Sequence, residues 1–327
     1  MRKPLPLLVL LAALTLLAFG CSDGPAQGNP ALPSGFTDAR IPGAEFSAYL
    51  YVSQGTPLSI PTRWFGDLAS TQAIPTFAAL GDSVGVRNAF LGVGPTIDHY
   101  AGSVAFNGEP EADAAVRLAN SRALTQAWRT GADFGIAYGQ GDWLDAAKNA
   151  LQASDAKPFS EAYADSWKLL RMAPSSPPNK PVAAGFAKVE GDFLEQAATR
   201  AGVSLSGVGS ALGLLKVAQV AFVAYADGDL SVRDDVGPAY FKEHGASALA
   251  VMKSGYPGSL QGFLLNTFAE QAGMEKGNQV AGQDVLTRDL GDAYLIVKSI
   301  GNVVFMAIAS EKTGAEKLME AVLKQQG

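Results

Sequence analysis

The chain has 327 residues, 48% hydrophobic and 17% charged, with one cysteine, two histidines and a formal net charge of −6. That length exceeds the usual domain size of ~100–150 residues, and the apolar content excludes a disordered or collagen-like chain. One cysteine and two histidines exclude disulfide scaffolds, zinc fingers and most histidine-rich metal sites, and the acidic balance gives no support for nucleic-acid binding.

The chain opens on Arg2 and Lys3, followed by an apolar run over residues 5–19. The run falls short of the ~20 residues a membrane-spanning helix needs and has the layout of a secretory signal. Leu17-Ala18-Phe19-Gly20-Cys21 resembles the lipobox of bacterial lipoproteins, with Ala18 and Phe19 where that pattern prefers a leucine and a small residue. The resemblance implies removal of residues 1–20 and acylation of Cys21. It places the body in the periplasm or cell exterior, attached to a membrane through the lipid. Ser22 resembles the signal of lipoproteins destined for an outer membrane. Loss of Arg2 and Lys3 leaves a net charge of −8, so acyl chains rather than attraction to anionic headgroups must hold the body at a membrane. Residues 22–43 contain four prolines and four glycines, which reads, with Cys21, as a flexible tether over 21–43.

The body then divides at 173–181, where four prolines in nine residues exclude a continuing helix or central strand. The pieces on either side, 44–172 and 182–327, each carry a net charge of −4 and read as two similar halves. In the first, Phe46, Ala48, Leu50 and Val52 alternate with polar residues and tyrosines, which predicts a half-buried strand. A helix within 61–80, strands at 86–93 and 100–106, a helix over 110–120, a strand at 134–138 and a helix from Asp142 follow. In the second, the pattern predicts a strand at 182–189, helices within 193–215, strands at 217–226 and 246–253, a helix over 260–272 and a strand region at 280–289. Residues 135–145 and 185–195 share a glycine-rich joint followed by Asp, an aromatic, Leu and an acid, as expected of two equivalent strand-to-helix turns.

The end is the clearest part. Two apolar runs, 293–300 and 303–310, flank Gly301-Asn302, a two-residue hairpin signal. Ala315, Leu318, Met319, Val322 and Leu323 then line one face of a helix, with Thr313 and Glu316 in a capping-box spacing. Hairpins mixed with helices predict an α+β fold of largely antiparallel sheets with packed helices, whose topology loosely resembles ferredoxin-like arrangements.

Gly81-Asp82-Ser83 resembles the nucleophile block of SGNH/GDSL hydrolases, but that family takes its base from a C-terminal Asp-x-x-His, and Phe241 stands three before His244. Ser154-Asp155-Ala156-Lys157 and Lys312-Thr313-Gly314, with Tyr225-Ala226-Asp227 between, resemble elements of penicillin-binding proteins. Pro158 directly after Lys157 opposes the helix that chemistry needs, and Asp227 replaces an asparagine. The acidic loop of Asp227, Asp229, Asp234 and Asp235 offers oxygens for calcium but fails as an EF-hand, with Val232 and Pro238 at the glycine and glutamate positions. Gly92-Val93-Gly94 and Gly207-Val208-Gly209 lack the third glycine of a dinucleotide loop, so no cofactor is expected. Trp64, Trp128, Trp143 and Trp167 read as core or interface residues. His99 and His244 sit in connections without an adjacent Ser or Cys, and no catalytic residue is assigned.

The expected protein is therefore a non-enzymatic interaction or assembly module, lipid-anchored at the cell envelope, with a protein or small-molecule partner. A solute-binding lipoprotein is the second reading, distinguished by parallel strands at 182–189 and 217–226 around a cleft. A serine hydrolase is the third.

Overall fold

A computed structural model describes residues 25–37, 40–41, 46–53, 86–94, 99–106, 108, 113, 116–117, 125–130, 133–138, 142–152, 157–188, 219–227, 242–257, 269, 273–277, 279–291 and 293–327. The helices expected within 61–80, 193–215 and 260–272 fall almost wholly outside these residues, as does nearly all of the one at 110–120.

The first part contributes β1 (Arg40–Ile41), β2 (Ala48–Val52), β3 (Val86–Val93), β4 (Tyr100–Phe106), β5 (Thr125–Thr130), β6 (Asp133–Tyr138) and β7 (Lys157–Pro158). The second contributes β8 (Lys180–Lys188), β9 (Gln219–Ala226), β10 (Ser247–Lys253), β11 (Glu275–Lys276), β12 (Leu286–Asp289), β13 (Tyr294–Ile300) and β14 (Val303–Ala309). The helices are α1 (Asp142–Gln152), α2 (Phe159–Ala162), α3 (Ala164–Leu170) and α4 (Lys312–Gln326). Among the described residues, twelve strands form one sheet in the order β11-β12-β13-β14-β10-β9-β8-β2-β3-β4-β6-β5, and β1 pairs separately with β7. Every pairing is antiparallel. The fold is α+β.

Three features differ in detail from the sequence reading. The topology is not ferredoxin-like: β2 and β3, and likewise β8 and β9, are antiparallel neighbours, whereas a split β-α-β unit sets such strands parallel with a third between them. The proline-rich segment 173–181 is not an open linker. Ala173 is buried, β8 starts at Lys180, and β2 pairs directly with β8, so one sheet runs through both parts of the chain. The tether is docked from residue 25 to 37. Gly28 N donates to Arg171 O (2.9 Å) and Ala31 N to Pro174 O (3.1 Å). Gln326 Nε2 reaches Ala26 O (3.1 Å), and Phe36 lies in the core, 1% exposed. Proline and glycine exclude regular structure here, but they leave backbone groups free to bond to other segments.

One sheet face carries the described helices. On it, Tyr49 pairs with Phe186, Tyr51 with Ala184, Leu249 with Ala307 and Val223, and Ile296 with Ala307. α3 packs against β9 and β10, α4 against β13, β14 and β10, and α1 against β6 and β4. The opposite face is buried as well at Leu50, Val52, Ala89, Val104, Ala183, Ala224, Met252, Val297 and Val304. This explains why β8, β9 and β14 read as near-continuous apolar runs, the pattern of strands buried on both faces.

The last hairpin and helix form as expected, with one change. Gly301 takes a positive φ of +59° at the first central position of the turn, where type II′ hairpins place glycine. Ala315, Leu318, Met319, Val322 and Leu323 are all buried, and full burial of each larger side chain stabilises by about 1.5–3 kcal/mol. The helix starts at Lys312, so Thr313 sits inside its first turn and no Thr313–Glu316 capping box forms. Glu311 is the N-cap without a side-chain cap bond; its carboxylate meets Lys242 (3.1 Å).

Aromatic rings lie on glycines at four places: Phe46 on Gly92, Trp143 on Gly94, Trp128 on Gly135 and Phe222 on Gly185. Gly185 is also crowded by backbone, because an added Cβ would strike the Tyr49 carbonyl oxygen. Gly185→Ala should therefore open the β2–β8 seam and cost at least about 2 kcal/mol, by analogy with overpacked cores. Thermal denaturation checks this; an unchanged Tm would contradict the packing at the seam.

Candidate functional site

The most elaborate cluster of side chains lies over the β2–β8 seam. The alternation of β2 sends Tyr49 and Tyr51 to the helix-bearing face, where register sets Tyr49 beside Phe186 on β8. Tyr49 then stacks on Phe90 (5.4 Å) and approaches Phe159 (5.6 Å), Tyr163 (6.4 Å) and Phe186 (6.4 Å). Tyr163 sits between α2 and α3 with φ −132° and ψ 58°. The break aims its ring onto Phe186 at 4.4 Å, the tightest pair of the cluster. Such pairs contribute about 0.5–1.5 kcal/mol each beyond burial.

The strap formed by residues 25–37 closes the cluster. Phe36 packs edge-on to Tyr51 (5.5 Å, 85°) and against Phe159 (4.8 Å). Tyr51 Oη donates to Ser34 O at 2.9 Å, which ties the strap to the middle of β2. Arg171 Nε donates to Gly28 O (3.3 Å), and Gln325 bridges Ala173 O (3.0 Å) and Ser175 N (2.8 Å). Through Arg171 and the Gln326–Ala26 bond, the strap is tied to the end of α3 and the end of α4 together.

Among the described residues, the hydroxyls of Tyr49, Tyr225 and Ser247 are buried without a hydrogen-bond partner. Tyr225 and Ser247 are cross-strand neighbours on β9 and β10. Burial raises the Tyr49 phenol well above its ordinary range, with the nearby Tyr51 and Tyr163 adding to the shift, and burial alone raises Tyr225. Both are neutral groups. Elsewhere, the Lys168 ammonium holds the Asp165 carboxyl below its ordinary value through a hydrogen bond at 2.8 Å. Lys298 is lowered by burial, against the opposing pull of Asp284.

The residues singled out in the sequence are dispersed. Cys21, Ser83 and Ser154 lie outside the described residues, with Asp82, Asp98 and Asp155. So do Asp229, Asp234, Asp235, Trp64 and Gly207 to Gly209. Asp227 is described at the end of β9, where its N–H donates to His244 O (2.7 Å). Lys157 belongs to β7, while Lys312, Thr313 and Gly314 form the first turn of α4, following a strand rather than opening one. His99 is half-buried and meets Trp143 edge-on at 5.1 Å. Trp128, Trp143 and Trp167 are partly buried against the core, in keeping with a packing role. Gly92 lies under the Phe46 ring and Gly94 under the Trp143 ring. Among the described residues no three His, Cys, Asp or Glu side chains gather as a metal set, and no helix is long and apolar enough to cross a membrane. Phe36, Phe159 and Tyr163, which complete the cluster, carried no signal beyond being aromatic.

No family model matches the chain, and no curated protein matches it. Solved structures of TP0453 overlap it. Crystal form III gives a TM-score of 0.37 at 9% identity, covering 88% of this chain and 98% of that one. Form I gives 0.38 at 7%, covering 91% and 99%, and form IV gives 0.37 at 9%, covering 88% and 100%. At this overlap the fold is defined by its own strand order.

Two outcomes are expected. A tyrosine whose folded pKa is raised stabilises fully below its unfolded value of about 10, and that contribution is lost as pH climbs above it. Stability should fall above pH ~10, and the decline should be shallower in Tyr49→Phe/Tyr225→Phe, with Tyr49→Phe no less stable than wild type at neutral pH because an unbonded hydroxyl is removed. Urea titrations across pH test this; a neutral-pH loss in Tyr49→Phe would mean that its hydroxyl is bonded. Phe36→Ala, which leaves a cavity worth about 3–5 kcal/mol, should make the strap protease-sensitive ahead of the sheet. Equal resistance of the strap in variant and wild type would show that Phe36 does not hold it.

Proposed function

We propose that the chain is exported, cleaved before Cys21, acylated there, and acts as a non-enzymatic interaction or assembly module at the cell envelope. The observation that carries this reading is the lipobox-like stretch 17–21, which ends in the one cysteine of the chain. The docked strap is compatible with it, since the chain is bonded to the body from Ala26 onward.

The body is read as two similar halves joined back to back. Outward from the seam, the strand order β2-β3-β4-β6-β5 on one side parallels β8-β9-β10-β14-β13 on the other, with β12 and β11 added beyond. Antiparallel pairing of β8 with β9 favours an interaction module over a solute-binding lipoprotein, whose usual build is parallel β-α-β units around a cleft.

Cys21→Ala is the test. The variant should appear in the soluble fraction or accumulate as an uncleaved precursor, and the acyl mass should be absent. Unchanged membrane association together with unchanged mass would overturn the anchor.

A further inference from the structure

We infer that the C-terminal end of α4 is the membrane-facing corner of the body, held against the lipid surface by a leash of only five residues. The inference rests on the acylation of Cys21 proposed above. The tether composition suggested a reach of more than twenty residues, but most of that length is taken up by the body. Ala26 O accepts from Gln326 Nε2 (3.1 Å), and Gly28 is bonded at both its N–H and its carbonyl to Arg171 (2.9 and 3.3 Å). Ala26 is the first described residue hydrogen-bonded to the body, and the steps from Cys21 to it span at most about 17 Å at full extension. An unbound tether of the same composition would let the body sample any orientation; this one does not.

The opposite end of α4 points away. Lys312, at its start, lies over the Tyr294 ring (5.7 Å), and Tyr294 pairs with Ala309. Leu290, in the turn before β13, sits at this end and is 45% exposed. Lys324 is twelve residues further along the helix than Lys312, about 18 Å by helical rise. Its side chain is 69% exposed and pairs with Glu320 of the same helix (2.7 Å), an exposed contact of little energetic weight. The two positions therefore report the near and far ends of one rigid rod.

The chain offers a clean way to test this. Its one cysteine is consumed by the lipid, so a cysteine introduced elsewhere is the single free thiol. Full-length K324C and L290C, purified after export, would each carry a donor dye and be reconstituted in phosphatidylcholine vesicles with an acceptor on a fraction of headgroups. Mass spectrometry of Cys21 accompanies each sample. Acylated K324C should transfer energy at least about twofold more efficiently than L290C, given a leash shorter than the helix. Inserting twenty Gly/Ser residues between Gly24 and Pro25 raises the root-mean-square reach to about 25–30 Å and should bring the two efficiencies together. Acyl mass present with equal transfer at both sites would overturn the orientation alone. A Cys21 without acyl mass would overturn the anchor, and the orientation with it.

Discussion

One sheet exists across this chain because β2 and β8 approach each other at a position where only hydrogen fits. Gly185 lies between the Tyr49 carbonyl on one side and the Phe222 ring on the other. On the opposite face of the same two strands the requirement inverts. Tyr49 and Phe186 need large partners, and Phe159, Tyr163, Phe90 and Phe36 supply them. The seam thus combines absence of side chain below with a dense aromatic layer above. Because each strand pair takes its register from its neighbour, a slip here would send every inward residue of one part to the wrong face.

The same contrast governs the outer strands. Phe46 over Gly92 and Trp128 over Gly135 let broad rings lie flat on a strand without a neighbouring Cβ. Both faces of the central strands are buried, so ring thickness must be absorbed within the sheet layer, and glycine is the residue that absorbs it.

Much of this was legible in the sequence wherever a signal is local. The strands at 86–93 and 100–106 lie where apolar runs end in turn residues, and the face of α4 follows from helical spacing. What escaped was set by distant partners. β5, with sequence Thr-Gln-Ala-Trp-Arg-Thr, has no alternation of its own and becomes a strand by pairing with β6. α2 and α3 are short and broken at Tyr163, so neither shows a full amphipathic period. The strap reads as tether because prolines and glycines say only what it cannot form. Besides the Tyr51 hydroxyl on Ser34, its bonds go to Arg171, Pro174 and Gln326, and the last is 300 residues away. The Thr313 cap failed for a local reason: Glu311 reaches extended geometry first and the helix begins at once. The site followed the same division. The alternation of β2 reads as a half-buried strand with Tyr49 and Tyr51 on the face away from Leu50 and Val52, yet both faces are buried, and nothing in the chain marks Phe36 or Tyr163 as the tyrosines' partners.

Those long separations order the assembly of the molecule. Pairs close in sequence, such as β13 with β14 or β3 with β4, close small loops and form at modest entropic cost. Phe36 and Ser34 meet Tyr51 of β2, but the earlier part of the strap, residues 26–31, has no such partner. Every described bond from residues 26–31 goes to 171–174 or to 326, so it gains stability only once both α3 and α4 are seated on the sheet. The contacts of residues 26–31 are therefore among the last that the chain can make. Under the proposed anchoring, a body still folding would hang on a leash of more than twenty residues, and the same body once closed would stand on five. Docking of the strap converts completion of the fold into a fixed orientation at the lipid surface, without any part beyond the chain itself.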